Sequence, residues 1–66
     1  MASTEEYVIA VENNGVVEDK VTVKTGENPH AVFAEMYRTG YAGDVFTLYA
    51  VHDGYWTSIK AATLRG

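Results

Sequence analysis

The sequence predicts a small α+β domain in which two β-hairpins flank one helix, in the order β-β-α-β-β. One stretch has the apolar spacing of a helix, together with residues that start and stop one. The stretches on either side alternate apolar and polar residues around the turn sequences Asn13-Asn14-Gly15 and Asp53-Gly54. A length of 66 residues allows one domain, residues 1–66. One helix cannot cover both faces of a sheet, so we expect a mainly antiparallel four-stranded sheet with the helix packed on one face.

The predicted helix runs from Pro29 to about Thr39. Asn28 is a favourable N-cap, Pro29 suits the first helical position, and Gly40 can end the helix in the left-handed conformation. At 100° per residue the larger apolar side chains share one side: Pro29, Val32, Phe33, Met36 and Tyr37. We therefore expect Val32, Phe33 and Met36 to be buried and Arg38 to be exposed.

The first hairpin is predicted from a strand at 7–11 and a second strand at 16–24. A two-residue loop, Asn14-Gly15, would place Glu18, Lys20 and Thr22 beside the apolar residues of the first strand. A three-residue loop, Asn13-Asn14-Gly15, separates the polarities better and is our choice. It collects on one face Tyr7, Ile9, Val11, Val17, Val21 and Val23. The opposite face then carries Glu6, Val8, Ala10, Glu12, Glu18, Lys20, Thr22 and Lys24.

Asp19 conflicts with this pattern, because it falls on the inward side between Val17 and Val21. An inward charge is one of the features that prevent an edge strand from pairing with another chain. We therefore expect the second strand to lie at a sheet edge. A bulge around Glu18-Asp19 would explain the same pattern.

The second hairpin is predicted from strands at 45–51 and 55–61, joined by the two-residue turn Asp53-Gly54. This register places Phe46, Leu48, Ala50, Tyr55, Thr57 and Ile59 on the face under the helix. The helix-free face then collects Val45, Thr47, Tyr49, Val51, Trp56, Ser58 and Lys60. If His52 joins the loop instead, the last strand turns over and Trp56 moves under the helix.

Composition limits the classes of function. Nine acidic and five basic side chains give a net charge of −4, which disfavours general phosphate binding. The absence of Cys removes disulfides and thiolate-held zinc. Residues 1–5 carry no basic region or apolar run, so we expect a disordered segment and no signal peptide. Without an apolar stretch long enough to span a membrane, the expected location is cytoplasmic.

No pattern of reactive side chains indicates an enzyme or a cofactor. Ser58, His52 and either Asp44 or Asp53 supply the residue types of a catalytic triad, but no Gly-flanked turn presents the serine. His30 and Glu35 lie five apart on the helix and diverge by about 140°, so they do not form a metal-binding pair. We therefore predict a non-enzymatic protein without metal or cofactor and with no catalytic residues.

Aromatic residues point to binding. Five Tyr and one Trp exceed what so small a core requires. We predict a protein-binding surface on the helix-free face, with Tyr49, Val51 and Trp56 central, Glu12 and Glu18 at the rim, and Lys60 alongside. Cross-strand pairing that merely stabilises an open sheet is an equally good explanation of the same residues.

The chain is similar in size and character to regulators and inhibitors made by bacteria and their phages, and its function is expected to be of that kind. A thin core with an open, partly apolar sheet face also predicts self-association as a homodimer.

Binding of single-stranded nucleic acid is the alternative, because aromatic side chains on a sheet can stack bases. Lys20, Lys24 and Lys60 are predicted on the same face as Tyr49 and Trp56, which favours it. The net charge of −4 opposes it, so nucleic acid ranks below a protein partner.

Overall fold

A computed structural model describes residues 6–65 and contains the five predicted elements in the predicted order. They are β1 (Glu6–Asn13), β2 (Val16–Val23), α1 (Pro29–Arg38), β3 (Val45–His52) and β4 (Tyr55–Thr63). The strands form one antiparallel sheet in the order β2-β1-β3-β4, so the two hairpins meet through β1 and β3. The fold class is thereby confirmed, as is the edge position of β2. The predicted disorder of residues 1–5 lies outside the described residues.

The helix begins as its sequence predicts, and of the three residues predicted to be buried only Phe33 is fully so. The Asn28 side chain accepts hydrogen bonds from the N–H groups of His30 (2.9 Å) and Ala31 (3.4 Å), which lie in the first turn of the helix. Phe33 is buried, while Val32 and Met36 are partly buried against the core. Arg38 is exposed and forms an ion pair with Glu35.

Gly40 does not end the helix in the left-handed conformation, so that prediction is wrong. Thr39 is the C-cap, and Gly40 has no positive φ. What Gly40 supplies is space. A Cβ at this position would lie 3.1 Å from Phe46 Cε1 and closer still to Phe46 Cζ. The missing side chain therefore allows the Phe46 ring to pack under the end of α1.

The first hairpin has a two-residue loop followed by a bulge, so the predicted three-residue loop is wrong and the alternative of a bulge around Glu18-Asp19 is confirmed. Asn14 and Gly15 have φ of 55° and 78°, as a type I′ turn requires, and Asn13 pairs with Val16. The register then shifts between Val11 and Glu12, leaving Glu18 as an extra residue in β2.

The bulge explains on which face of the sheet the neighbouring residues of β2 lie. Beyond Glu18, Asp19 lies opposite Val11 and Val21 opposite Ile9, so the apolar residues and Asp19 share the helix side as predicted. Val17, predicted on that side, instead pairs with Glu12 on the other face and is exposed.

The core lies between α1 and the two central strands. Its buried members are Ile9, Val11, Val23, Phe33, Phe46 and Leu48. Phe46 meets Phe33 and Tyr37 edge-to-face, with ring centroids 6.3 Å and 5.5 Å apart. The helix is therefore attached to β3 through three aromatic rings.

The second hairpin has the predicted two-residue turn. Asp53 and Gly54 have φ of 51° and 81°, and Val51 pairs with Trp56. The alternative that moves Trp56 under the helix is excluded.

A second bulge changes the rest of β4. The register shifts between Leu48 and Tyr49, leaving Ile59 as the extra residue, so Lys60 lies opposite Leu48. Ile59 is 46% exposed and lies outside the core cluster to which the prediction assigned it. Lys60 is on the helix side of the sheet, contrary to its predicted place on the helix-free face.

Phe33→Ala should unfold the domain or nearly so. The side chain is 2% exposed, and truncating a buried Phe costs about 3–5 kcal/mol. That is comparable with the total stability of about 5 kcal/mol expected for so small a domain. Urea denaturation followed by circular dichroism measures the loss. Val16→Ala, at a 63% exposed apolar position, is the matched control and should leave the midpoint almost unchanged. Equal effects of the two substitutions would contradict this core.

Candidate functional site

The sheet face opposite α1, called the outer face below, carries the predicted aromatic pair. Tyr49 lies between Val8 on β1 and Ser58 on β4, and Trp56 lies beside Val51. The Tyr49 and Trp56 rings meet edge-to-face, with centroids 5.4 Å apart and planes at 66°. Trp56 is 49% exposed. The outer face therefore presents an indole held in place by a neighbouring aromatic ring.

Lys20 reaches the same indole from the opposite edge of the sheet. Its Nζ lies 5.8 Å from the Trp56 ring centroid, within the range of a cation–π contact. Lys20 belongs to β2 and Trp56 to β4, so the two side chains meet above the central strands. Beneath them Val8 and Ala10 are only 8% and 6% exposed, although the one helix within residues 6–65 lies on the opposite face. Trp56 therefore has a structural role as well, which the sequence did not reveal.

The outer face gathers four of the six residues predicted for binding. Tyr49, Val51 and Trp56 lie together, and Glu12 lies on the same face at the far end of β1, opposite Val45. Their role in binding stays a prediction.

Lys60 is separated from this group by the bulge at Ile59. Its Nζ lies 4.8 Å from the Phe33 ring centroid on the helix side of the sheet. Together with Tyr37 and Ala62 it lines a small pocket of about 230 Å³ beside α1. Lys60 covers the exposed side of the Phe33 ring rather than contributing charge to the outer face.

Glu18 is also displaced, by the bulge in β2. It lines a cleft of about 330 Å³ between β2 and the C-terminal end of α1. Apolar side chains, Met36 and Phe46 among them, share the lining with Asp19 and Asp44. Glu18 therefore faces a second carboxylate instead of forming part of the outer-face rim.

Asp44 anchors the loop between α1 and β3. Its carboxylate accepts hydrogen bonds from Asn13 Nδ2 and from the Tyr41 backbone N–H, each at 2.9 Å. Its carbonyl oxygen accepts from the Leu64 N–H at 2.9 Å, which ties the end of β4 to the same loop. Asp44 is 3% exposed, so these bonds satisfy a buried carboxylate. From the sequence Asp44 was considered only as the acid of a possible triad, and its burial was not predicted because nothing in a loop Asp indicates burial.

The two carboxyls of the cleft have opposite pKa shifts. The hydrogen bonds from Asn13 and Tyr41 hold the pKa of Asp44 below its ordinary value, against the effect of burial. Partial desolvation raises the pKa of Glu18, and the negative charge and hydrogen-bonding of Asp44 add to the rise.

The side chains considered for catalysis or metal binding do not come together. Ser58 shares the outer face with Tyr49, whereas His52, next to Val51 on β3, alternates to the other face. His52 Nε2 lies 3.3 Å from Asp53 Oδ2, within the exposed turn. Residues 6–65 contain no cluster of three or more His, Cys, Asp or Glu side chains that could hold a metal ion.

Comparison with known proteins gives no further guide to the site, since no family model, curated protein or solved structure matches this chain. Across the described range, 6–65, no helix combines the length and apolar character needed to cross a membrane.

Glu18→Gln should raise the melting temperature at pH 7. A carboxyl whose pKa is raised by folding opposes folding once it is ionised, so its neutral replacement removes that cost. The gain should shrink as the pH falls through the raised pKa of Glu18, and it should be absent below the ordinary value of 4.5, where the carboxyl is protonated in the folded and unfolded chains alike. Melting curves from about pH 3 to about pH 8 test this.

Glu6→Gln is the control, since it removes the same charge from an exposed position on β1. An equal gain in both variants would mean that net charge, rather than the Asp44 contact, is responsible.

Proposed function

We propose that this chain is a small, non-enzymatic protein-binding module, a cytoplasmic regulator or inhibitor that docks through its outer face. The observation that carries the proposal is Trp56, which is half exposed yet fixed in orientation by Tyr49 and Lys20. A large aromatic side chain that is already ordered loses little entropy on binding, and Trp and Tyr dominate the energetics of interfaces.

The structural role of Trp56 does not account for all of its surface. Tyr49 on β3 and Lys20 from β2 contact the ring, and 49% of the residue still faces solvent. A smaller apolar residue would pair with Val51 equally well and would expose less apolar surface. The remaining exposed area is what a partner would cover.

The side chains of the outer face indicate what kind of partner surface would fit it. An apolar patch on the partner would complement the apolar surface formed by Tyr49, Val51 and Trp56. Lys20 lies beside that surface and supplies a positive charge. A protein surface with apolar side chains and a carboxylate able to reach Lys20 complements both features.

Single-stranded nucleic acid is the second candidate. Lys20 beside two aromatic rings is the observation that favours it, because stacking and phosphate contacts act together in such sites. Lys60, however, lies on the helix side, and Lys24 lies beyond the end of β2. The outer face therefore offers less positive charge than the sequence predicted, and we rank this candidate lower.

Trp56→Ala should weaken partner binding at least about tenfold while the domain still unfolds cooperatively. Loss of an interface anchor costs about 2 kcal/mol or more, and about 1.4 kcal/mol is one decade in affinity. Because half of the ring is already in solvent, we expect only about 1–2 kcal/mol of lost stability. Capture from native host lysate with tagged wild type and variant, quantified by mass spectrometry, measures the binding.

Tyr41→Ala provides the matched control, since Tyr41 is 79% exposed and lines the cleft at the end of α1, away from the outer face. It should retain the partner. Retention by Trp56→Ala as well would refute docking through this face.

The nucleic-acid alternative has its own measurement. Trp56 is the chain's one tryptophan, so its fluorescence reports on the outer face alone. We expect no quenching by a single-stranded oligothymidylate at low salt. Quenching that disappears as salt rises would favour the alternative instead.

A further inference from the structure

Among residues 6–65 no strand pairs with the outer side of β2 or of β4, and these two edges differ in how strongly they resist pairing with another strand. On β2 the Glu18 bulge and the inward-facing Asp19 interrupt the edge, and both are features that discourage strand pairing. On β4 the features of this kind, the bulge at Ile59 and the charge of Lys60, lie toward the end of the strand, whereas the residues from Tyr55 to Ser58 carry no charge, no proline and no bulge. Three of the large apolar residues that the described fold leaves exposed belong to β4: Tyr55 at 78%, Trp56 at 49% and Ile59 at 46%.

We propose that β4 pairs antiparallel with β4 of a second copy of this chain, about a two-fold axis that passes beside Thr57. The paired stretch runs from Tyr55, next to the turn, to Ile59 at the bulge. The two copies then form one continuous sheet.

The backbone sets this register. In a hairpin closed by a two-residue turn, the residues that flank the turn form a hydrogen-bonded pair, and such pairs alternate along the strands. His52 and Tyr55 are that pair here, followed by Ala50 and Thr57. Trp56 and Ser58 therefore direct their N–H and C=O groups away from β3, toward the free edge. A two-fold axis beside Thr57 places Trp56 of one copy opposite Ser58 of the other, so the backbone N–H and C=O groups of these two residues can form hydrogen bonds.

The side chains fit the same register. Tyr55 of one copy lies opposite Ile59 of the other. Tyr55 pairs with His52 and so lies on the helix side of the sheet, opposite to the face that carries Trp56. An aromatic residue opposite a β-branched one is a favourable cross-strand pair. By symmetry the contact forms twice, so the dimer covers exposed apolar residues that the monomer leaves in solvent.

The charges are also compatible with two-fold pairing. Lys60 of one copy lies opposite Gly54 of the other, next to Asp53. The two Lys60 residues are offset by about six residues along the paired strands, or about 20 Å. Opposite charges therefore approach one another while like charges stay apart.

A paired stretch of this length is short, so the dimer is expected to be reversible and concentration-dependent. Its formation does not rest on the proposed function, because the edge of β4 and not the outer face makes the contact. The dimer would bring the two Trp56 side chains onto one shared surface.

Sedimentation equilibrium provides the first test. Wild type should show a mass that rises toward twice that of one chain as concentration increases. Ile59→Lys should raise the dimer dissociation constant at least about tenfold, since the symmetric interface loses the Tyr55 contact twice. Val17→Lys, at a 51% exposed apolar position on the β2 edge, should leave dimerisation unchanged. A monomer at every concentration, or equal effects of both variants, would overturn the proposal.

Disulfide cross-linking tests the register. The chain has no cysteine, so Thr57→Cys introduces a single thiol. Beside the two-fold axis the Cα atoms of the two copies at this position form a non-hydrogen-bonded pair about 4.5 Å apart, within disulfide range. In Ser58→Cys the corresponding Cα atoms lie about 8 Å apart, beyond that range. Mild oxidation should therefore link Thr57→Cys dimers rapidly and Ser58→Cys dimers slowly or not at all.

A Thr57→Cys variant that dimerises without cross-linking would place the contact elsewhere and overturn the proposal. The partner-capture experiment with Trp56→Ala is read separately. If a Trp56→Ala variant loses its partner but still cross-links through Thr57→Cys, then partner binding depends on the outer face and dimerisation depends on the β4 edge.

Discussion

The packing of the Phe46 ring against α1 is the contact on which the rest of the fold depends. Phe46 is 2% exposed and meets Phe33 and Tyr37 edge-to-face, so one ring of β3 joins the helix to the sheet. The ring also occupies the space left by the missing side chain of Gly40. Two residues earlier in the chain, Asp44 bonds to β1 through Asn13. The turn from helix to strand is thus fixed on one side by packing and on the other by hydrogen bonds.

The two faces of the sheet are protected in different ways. The helix covers one face, and the apolar side chains between helix and sheet, including Phe33 and Phe46, form a continuous core. On the outer face, two long side chains from opposite edges reach across the central strands instead. Lys20 has a flexible apolar stem and Trp56 a broad ring, so together they shield Val8 and Ala10 without a further element. This arrangement suits a short chain, and it keeps an aromatic surface accessible at the same time.

Regular patterns in the sequence predicted the parts of the structure that are themselves regular. The cap at Asn28, the apolar spacing up to Met36 and the turn at Asp53 each have a local cause, and each was predicted correctly. The two bulges have weaker signals, because one extra residue produces the same alternation as a different loop length. The inward Asp19 indicated a bulge as one explanation in β2, whereas nothing indicated the bulge at Ile59. Glu18 and Lys60 were misplaced for that reason. The contacts that sequence reasoning missed join residues far apart in the chain: Asn13 with Asp44, and Lys20 with Trp56. The aromatic pair of the outer face was predictable only because both of its members belong to one hairpin.

The bulges at Glu18 and Ile59 have a consequence for how such a chain diverges in evolution. Each bulge adds one residue that has no partner on the neighbouring strand, so deleting Glu18 or Ile59 would restore regular alternation and leave the other residues on their present faces. Deleting a paired residue would instead exchange the buried and exposed sets beyond it. An insertion in the loop between β2 and α1 would leave all strand parities intact. Relatives of this chain should therefore differ in length at the loops and at the two bulges, while the number of residues in the paired segments between them is preserved. A sequence alignment that matches residue types alone would overlook this constraint, whereas an alignment that keeps the number of residues in each paired segment would preserve it.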